Sequence, residues 1–191
     1  MRVLTKDEFE LEKEFCIDAI LKGAVFIHPT DTIYGLGCNA KDSKAVSLIR
    51  DIKKRPLTPF SVIAPSKAWI EENCIVDKKA DEWIGKLPGP YTLILRLKNK
   101  DCVANDVVLD AGSLGVRIPE HWFSRIVGEI GIPVVTTSVN EAGKKFMTSA
   151  DDIDSHIEHH VDFMIDEGIK DGKPSTIVHL EGKEVSVKHR H

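Results

Sequence analysis

Three times along this 191-residue chain a short apolar run abuts a cluster of hydroxyl side chains, and that recurrence narrows the folds open to it. Ala24-Val25-Phe26-Ile27 leads into Pro29-Thr30-Asp31-Thr32-Ile33-Tyr34-Gly35-Leu36-Gly37. Ile132-Pro133-Val134-Val135-Thr136 leads into Thr137-Ser138-Val139-Asn140, and Pro174-Ser175-Thr176 precedes Ile177-Val178-His179-Leu180. Apolar runs this short, bounded by turn residues, read as buried strands. Open α/β sheets gather their ligands at strand ends, so polar clusters placed there read as the walls of a site.

Between these runs the apolar spacing becomes helical. Thr5 followed by Glu8 makes a capping box, and Phe9, Leu11, Phe15, Ile17, Ala19, Ile20 and Leu21 predict one helix that stops at Gly23. Residues 42–54 predict a second helix with Ala45, Leu48, Ile49 and Ile52 on one face. A strand is expected at 60–64, helices near 67–73 and 78–86, and a break at Leu87-Pro88-Gly89-Pro90. Strands at 91–97 and 114–118 and a helix at 121–130 follow. Ser149 is expected to cap a helix running to about His159, and residues 161–166 to return as a strand. No repeat, low-complexity run or Pro/Ser linker divides the chain. The expectation is a single α/β domain over 1–191, an open twisted mixed sheet with flanking helices.

Composition excludes several classes of protein. No apolar run approaches the eighteen or so residues that span a bilayer, and the charged N-terminus lacks the apolar core of a secretory signal, so a cytoplasmic protein with no membrane partner is expected. Cys16, Cys38, Cys74 and Cys102 are widely spaced without a Cys-x-x-Cys, which favours reduced, buried thiols. His156 and His160 are four apart on a possible helix but lack an inward third ligand; a solvated face is expected there, a frayed tail at His189-Arg190-His191, and no metal site. A net charge of -4 argues against a protein that coats nucleic acid. Yet residues 41–55 hold six basic residues against two acidic ones, a local positive field suited to a small phosphorylated ligand.

Lys53 and Arg55 stand at the centre of that field. They follow the Thr/Gly segment by about twenty residues, at the end of the second helix. If the loop after them folds back toward the strand end, two cations face a turn rich in hydroxyl and N–H donors, which suits phosphate better than a single carboxylate.

In order along the chain, Pro-Thr-Asp-Thr-Ile-Tyr-Gly-Leu, Lys53-x-Arg55-Pro56, Ser113-x-x-x-Arg117, Thr137-Ser138-x-Asn140 and Pro174-Ser175-Thr176 resemble the YrdC/Sua5 family from about residue 10 to residue 188. Leu87-Pro88-Gly89-Pro90-Tyr91-Thr92 is similar to its Pro-Gly-Pro turn before a strand. The resemblance is to the short single-domain form and implies a concave, positively charged cavity. It implies synthesis of threonylcarbamoyl-AMP and pyrophosphate from L-threonine, bicarbonate and ATP, with magnesium carried by the phosphates, for threonylcarbamoyladenosine modification of tRNA. The tRNA threonylcarbamoyl transferase is then a possible partner.

Carried over residue by residue, the resemblance puts Lys53 and Arg55 on the polyphosphate as catalytic cations. Ser113, Ser138, Asn140 and Lys188 join them around ATP, with Arg190 the other candidate for the cation after the last strand. Thr32, Tyr34, Arg117, Thr137 and Ser175 hold threonine. The loop from Arg55 to Pro59 is one residue shorter than in relatives, Ile63 replaces a histidine that some carry, and Val139 and Met147 also depart from the pattern. Two other functions are weighed. One is a YciO-like protein of the same fold that binds nucleotide or RNA without making the adenylate. The other is an RNA-binding module, against which nine acidic residues and three lysines in 141–171 argue, while a local tRNA or RNA contact stays open.

Overall fold

The computed structural model describes residues 1–190. Along the chain run β1 (Arg2–Thr5), α1 (Lys6–Leu11), α2 (Lys13–Leu21), β2 (Phe26–His28), β3 (Gly35–Gly37), α3 (Ser43–Lys53) and β4 (Ser61–Ile63). Then come α4 (Lys67–Asn73), α5 (Lys78–Gly85), β5 (Tyr91–Arg96), a short α6 (Asn105–Val108), β6 (Ser113–Arg117) and α7 (Phe123–Ile130). The last elements are β7 (Val134–Ser138), a single-turn α8 (Ser155–Glu158), β8 (Phe163–Asp166), β9 (Thr176–His179) and β10 (Ser186–Lys188).

The described strands form one sheet in the order β1-β8-β2-β3-β7-β4-β6-β5-β9-β10. It is mixed, as expected. Parallel pairs such as β4 with β6 and β5 with β9 alternate with antiparallel pairs such as β4 with β7 and β5 with β6.

Strand alternation sends neighbouring residues to opposite faces. Ile27, Val135 and Met164 enter a large core with α3, α4 and α5, whereas Phe26, Val134 and Phe163 enter a smaller one under α1, α2 and α7. The smaller core is aromatic: Phe26 stacks on Phe163 at 5.2 Å, and Phe123 of α7 stacks on His28 at 4.8 Å. Each such ring, fully buried, contributes about 1.5–3 kcal/mol. These helices cover only part of their face. Farther along, Ile63 and Val134 give way to Ser61 and Thr136, and the face is left open there for a cavity.

Several elements differ from the sequence expectation for identifiable reasons. The first helix is two: Thr5 caps α1 with Glu8 as predicted, but Glu12 leaves helical geometry and pairs with Arg2. On α3, Val46 rather than Leu48 completes the buried face, and Leu48 is exposed. Thr137 and Ser138 belong to β7 because they pair with Leu36 and Gly35, so the polar turn begins only at Val139. The helix expected from Ser149 is a 3₁₀ turn (Ala150–Asp152) and then α8, since the Asp152 carboxylate takes the Thr148 and Ser149 N–H groups and Asp154 caps anew at His156. His156 and His160 are exposed, their rings 4.8 Å apart. The tail is docked: β10 pairs with β9, and Arg190 bonds Ser175. His191, part of the expected frayed tail, lies outside the described residues. All four cysteines are buried and unpaired.

Candidate active site

Register between strands lays out the cavity floor. Ser61 pairs with Gly115 and with Thr136, Gly115 pairs with Ile94, and Ile94 with His179; all of them line a cavity of about 370 Å³. A side chain at Gly115 would fill this floor, because a Cβ there would lie 2.5 Å from Ser61 Oγ. Two residues along the strands, about 7 Å, Arg117, Thr92, Ile177 and Lys188 line the same face. In the other direction it carries Ser113 and, past the end of β9, Glu181.

Arg117 ends β6 almost fully buried. Its Nη2 donates to Asp31 Oδ1 at 2.6 Å and to Thr32 Oγ1 at 3.3 Å, while Asp31 Oδ2 accepts the Glu120 N–H at 3.0 Å. Thr30 Oγ1 shares a hydrogen bond with Thr32 Oγ1 and donates to Ile33 O, so the turn that carries Asp31 is internally fixed. Burial pushes the guanidinium pKa down, Asp31 opposes this, and Arg190 adds to it. Arg117 Nε is buried and has no acceptor among the described residues. Near it, Ser175 Oγ shares a 2.7 Å hydrogen bond with Thr92 Oγ1 and accepts one from Arg190 Nη2 at 2.8 Å, while Arg190 Nε donates to Ser175 O. The result is a cation–hydroxyl wall in which the Arg117 Nε–H has no acceptor among the described residues.

Lys53 and Arg55 diverge. Arg55 lines the cavity, with Nη2 on Pro59 O at 3.0 Å and its guanidinium 5.4 Å from the Phe60 ring. Lys53 does not line it. Its Nζ donates to Ser138 O, to Asn140 O at 2.8 Å and to Asn140 Oδ1 at 3.0 Å, and the residue is 1% exposed. Burial, with a smaller push from Arg55, takes its pKa down to about 7. Three converging acceptors call for three N–H donors, which only the ammonium form supplies. Lys53 therefore braces the strand end from behind. Asn140 Oδ1 also accepts from Ser138 Oγ, and Asn140 borders a separate hollow beside Glu141 and Lys144 rather than the main cavity.

Of the other expected residues, Tyr34, Ser113, Thr137, Ser138, Ser175 and Lys188 line the cavity, and Thr32 reaches it through Arg117. Tyr34 lines it with its hydroxyl already engaged. Its hydroxyl accepts the Glu167 N–H at 2.8 Å and faces Gly168 O at 2.8 Å and Asp166 Oδ1 at 3.1 Å, so its one proton is already placed.

This arrangement can be set beside known proteins. The sequence model of the Sua5/YciO/YrdC family, described as "Telomere recombination", matches residues 18–190. The chain belongs to the Sua5/YciO/YrdC family. A family member from Methanocaldococcus jannaschii, which carries the provisional name threonylcarbamoyl-AMP synthase, is 38% identical over 95% of this chain and 86% of its own. A threonylcarbamoyl-AMP synthase of Xanthomonas axonopodis pv. citri is 26% identical over 82% of this chain and 86% of its own. Sua5 of P. abyssi, solved in complex with L-threonine, superposes with a TM-score of 0.82 at 27% identity over 97% of this chain; this chain spans 56% of its length. YciO of E. coli shares the fold, with a TM-score of 0.85 at 23% identity over 99% of this chain and 94% of its own.

Within this Sua5/YciO/YrdC chain, several site features escape sequence reasoning. Asp31 sits inside the quoted Thr-rich motif, but only the fold reveals that it holds Arg117. Thr92 shows in the sequence only as part of a strand and of the Pro-Gly-Pro stretch that leads into it. Glu167 gathers His121 Nε2 at 3.0 Å, Lys170 Nζ at 2.9 Å and the Trp122 indole N–H, and so straps residues 166–175 across the Thr30–Tyr34 turn. Burial alone would raise the Glu167 carboxyl, but the bonds from Trp122, Lys170 and His121 outweigh it and take it down to about 2. The strap passes close to the turn: a Cβ on Gly172 would lie 2.4 Å from Thr32 O.

Proposed function

We propose that this chain is an L-threonylcarbamoyladenylate synthase, a nucleotidyltransferase that makes threonylcarbamoyl-AMP and pyrophosphate from L-threonine, bicarbonate and ATP for tRNA modification. The observation that carries this reading is one cavity wall where Arg117, with an unused Nε–H, adjoins the Ser175–Thr92 hydroxyl pair and Arg190. A guanidinium beside hydroxyls suits a hydroxy amino acid: the arginine takes the carboxylate, and Ser175 and Thr137 the hydroxyl. Thr32 and Tyr34 then fix the turn around it.

The chemistry asks for positioning and charge stabilisation. Bicarbonate loses hydroxide to give carbon dioxide, the threonine amine forms an N–C bond to it, and the proton that the amine releases turns the hydroxide into water. The carbamate oxygen attacks the α-phosphorus, a P–O bond forms, and the bond to the leaving pyrophosphate breaks. Negative charge grows on the phosphoryl oxygens and on pyrophosphate, where Arg55, Lys188 and Arg190 are the cavity's cations. Ser113 and Ser138 line the nucleotide side. Lys53 and Asn140 hold Ser138 in place rather than touching phosphate. Magnesium would ride on the phosphates. No described helix is long and apolar enough to cross a membrane, and a partner tRNA transferase would share the cytoplasm with ATP.

Pyrophosphate release by the purified protein, with each substrate omitted in turn, tests the reading. Release that needs L-threonine, bicarbonate and ATP together is expected. ATP binding without release would move the chain to a YciO-like binding role.

A further inference from the structure

At the end of the cavity away from Arg117 stands a carboxylate that the chemistry above leaves unused. Glu181 Oε1 accepts a hydrogen bond from His179 Nδ1 at 2.9 Å, and both residues line the cavity. Its Oε2 is buried and has no donor among the described residues. A buried carboxylate oxygen without a donor is costly, so such an atom at a cavity wall calls for a donor from a ligand. Because a carboxylate only accepts, His179 carries a proton on Nδ1 and donates it to Oε1. Burial works to raise the Glu181 carboxyl, but the hydrogen bond from His179 leads the influences that hold it below its usual value, so the group is an anion.

Position separates this pair from the phosphates. Ile177 pairs with Lys188 and with Thr92, in the row of Arg117. Glu181 lies four residues farther along its strand direction, about 13 Å. A phosphoryl group against it would be repelled, whereas a neutral group bearing N–H or O–H donors would fill the empty acceptor. Resting on the reading of ATP as a substrate, we propose that Glu181, held in place by His179, forms the nucleoside end of the cavity, its Oε2 accepting a hydrogen bond from the ribose hydroxyls or the exocyclic amine of adenosine.

Adenosine itself is the probe, because it has no phosphate and needs no metal. Calorimetric titration of the full chain with adenosine should show at least tenfold weaker binding in Glu181→Ala than in wild type. Binding of inorganic triphosphate and of L-threonine should stay within twofold. Glu181→Gln, which keeps one acceptor oxygen, should lose less, and it stands in should the alanine variant melt early. Weakened binding of 2′-deoxyadenosine to wild type would assign the contact to the ribose, and weakened binding of inosine to the base. Unchanged adenosine binding in both variants, or no adenosine binding by wild type, would overturn the proposal. So would a loss confined to magnesium–ATP, which would make the carboxylate a cation ligand. Pyrophosphate release by wild type keeps the two readings apart: release together with variant-insensitive adenosine binding sinks only the nucleoside end, whereas no release and no nucleotide binding sinks both.

Discussion

Two cations of the site differ in kind, although the sequence presents them alike. Arg117 is fixed by Asp31 and retains an unused N–H at the cavity, so replacing its planar fork with a lysine removes a directed donor while keeping the charge. Hydrogen bonds to charged groups contribute about 1.5–3 kcal/mol, and Arg117→Lys should weaken L-threonine binding by roughly 10- to 100-fold in a titration. Lys53 is buried among three acceptors. Lys53→Ala strands them, and we expect a loss of about 2–4 kcal/mol of stability, read as a lower midpoint in denaturant. Arg55→Ala should melt close to wild type and instead raise the KM for ATP, because Arg55 meets the protein through one backbone carbonyl and a ring face.

The elements carry the second level of control, and here the sequence was only partly readable. Apolar runs and caps located most helices and strands because their signals are local: Thr5 and Glu8 close α1. β1, β3 and β10 were missed, being three or four residues long with their justification in distant partners such as Phe163, Ser138 and His179. In the site, the residue types of the motifs could be read, but not that Lys53 turns away from the cavity or that the Tyr34 hydroxyl is engaged, since both depend on neighbours more than eighty positions away. The Glu167 strap is the clearest such case. Its carboxyl is held at about 2 against a usual 4.5, so between those values the unfolded chain binds the proton more readily. Its stabilisation is present above pH 4.5 and is lost as pH falls toward 2. Thermal melts of Glu167→Gln should therefore show a shallower decline than wild type across that acid window. Gly172→Ala, which forces a methyl against Thr32 O, should lower both the melting midpoint and L-threonine affinity.

Across the whole molecule, a chain of net charge -4 keeps Arg55, Arg117, Lys188 and Arg190 around one cavity, and its acidic excess lies elsewhere. Attraction for an anionic substrate is thus local, and general affinity for nucleic acid is not built in. The four thiols are all sealed in the interior at 5% exposure or less. Thiol titration should find essentially none reactive in the native protein and four after denaturation, with the melting midpoint indifferent to reductant. The cavity wall itself spans nearly the whole chain, from Thr30 in the turn after β2 to Arg190 beyond β10. Until residue 190 has cleared a ribosome's exit tunnel, a nascent chain can fold much of its core and yet offers no complete receptor for substrate.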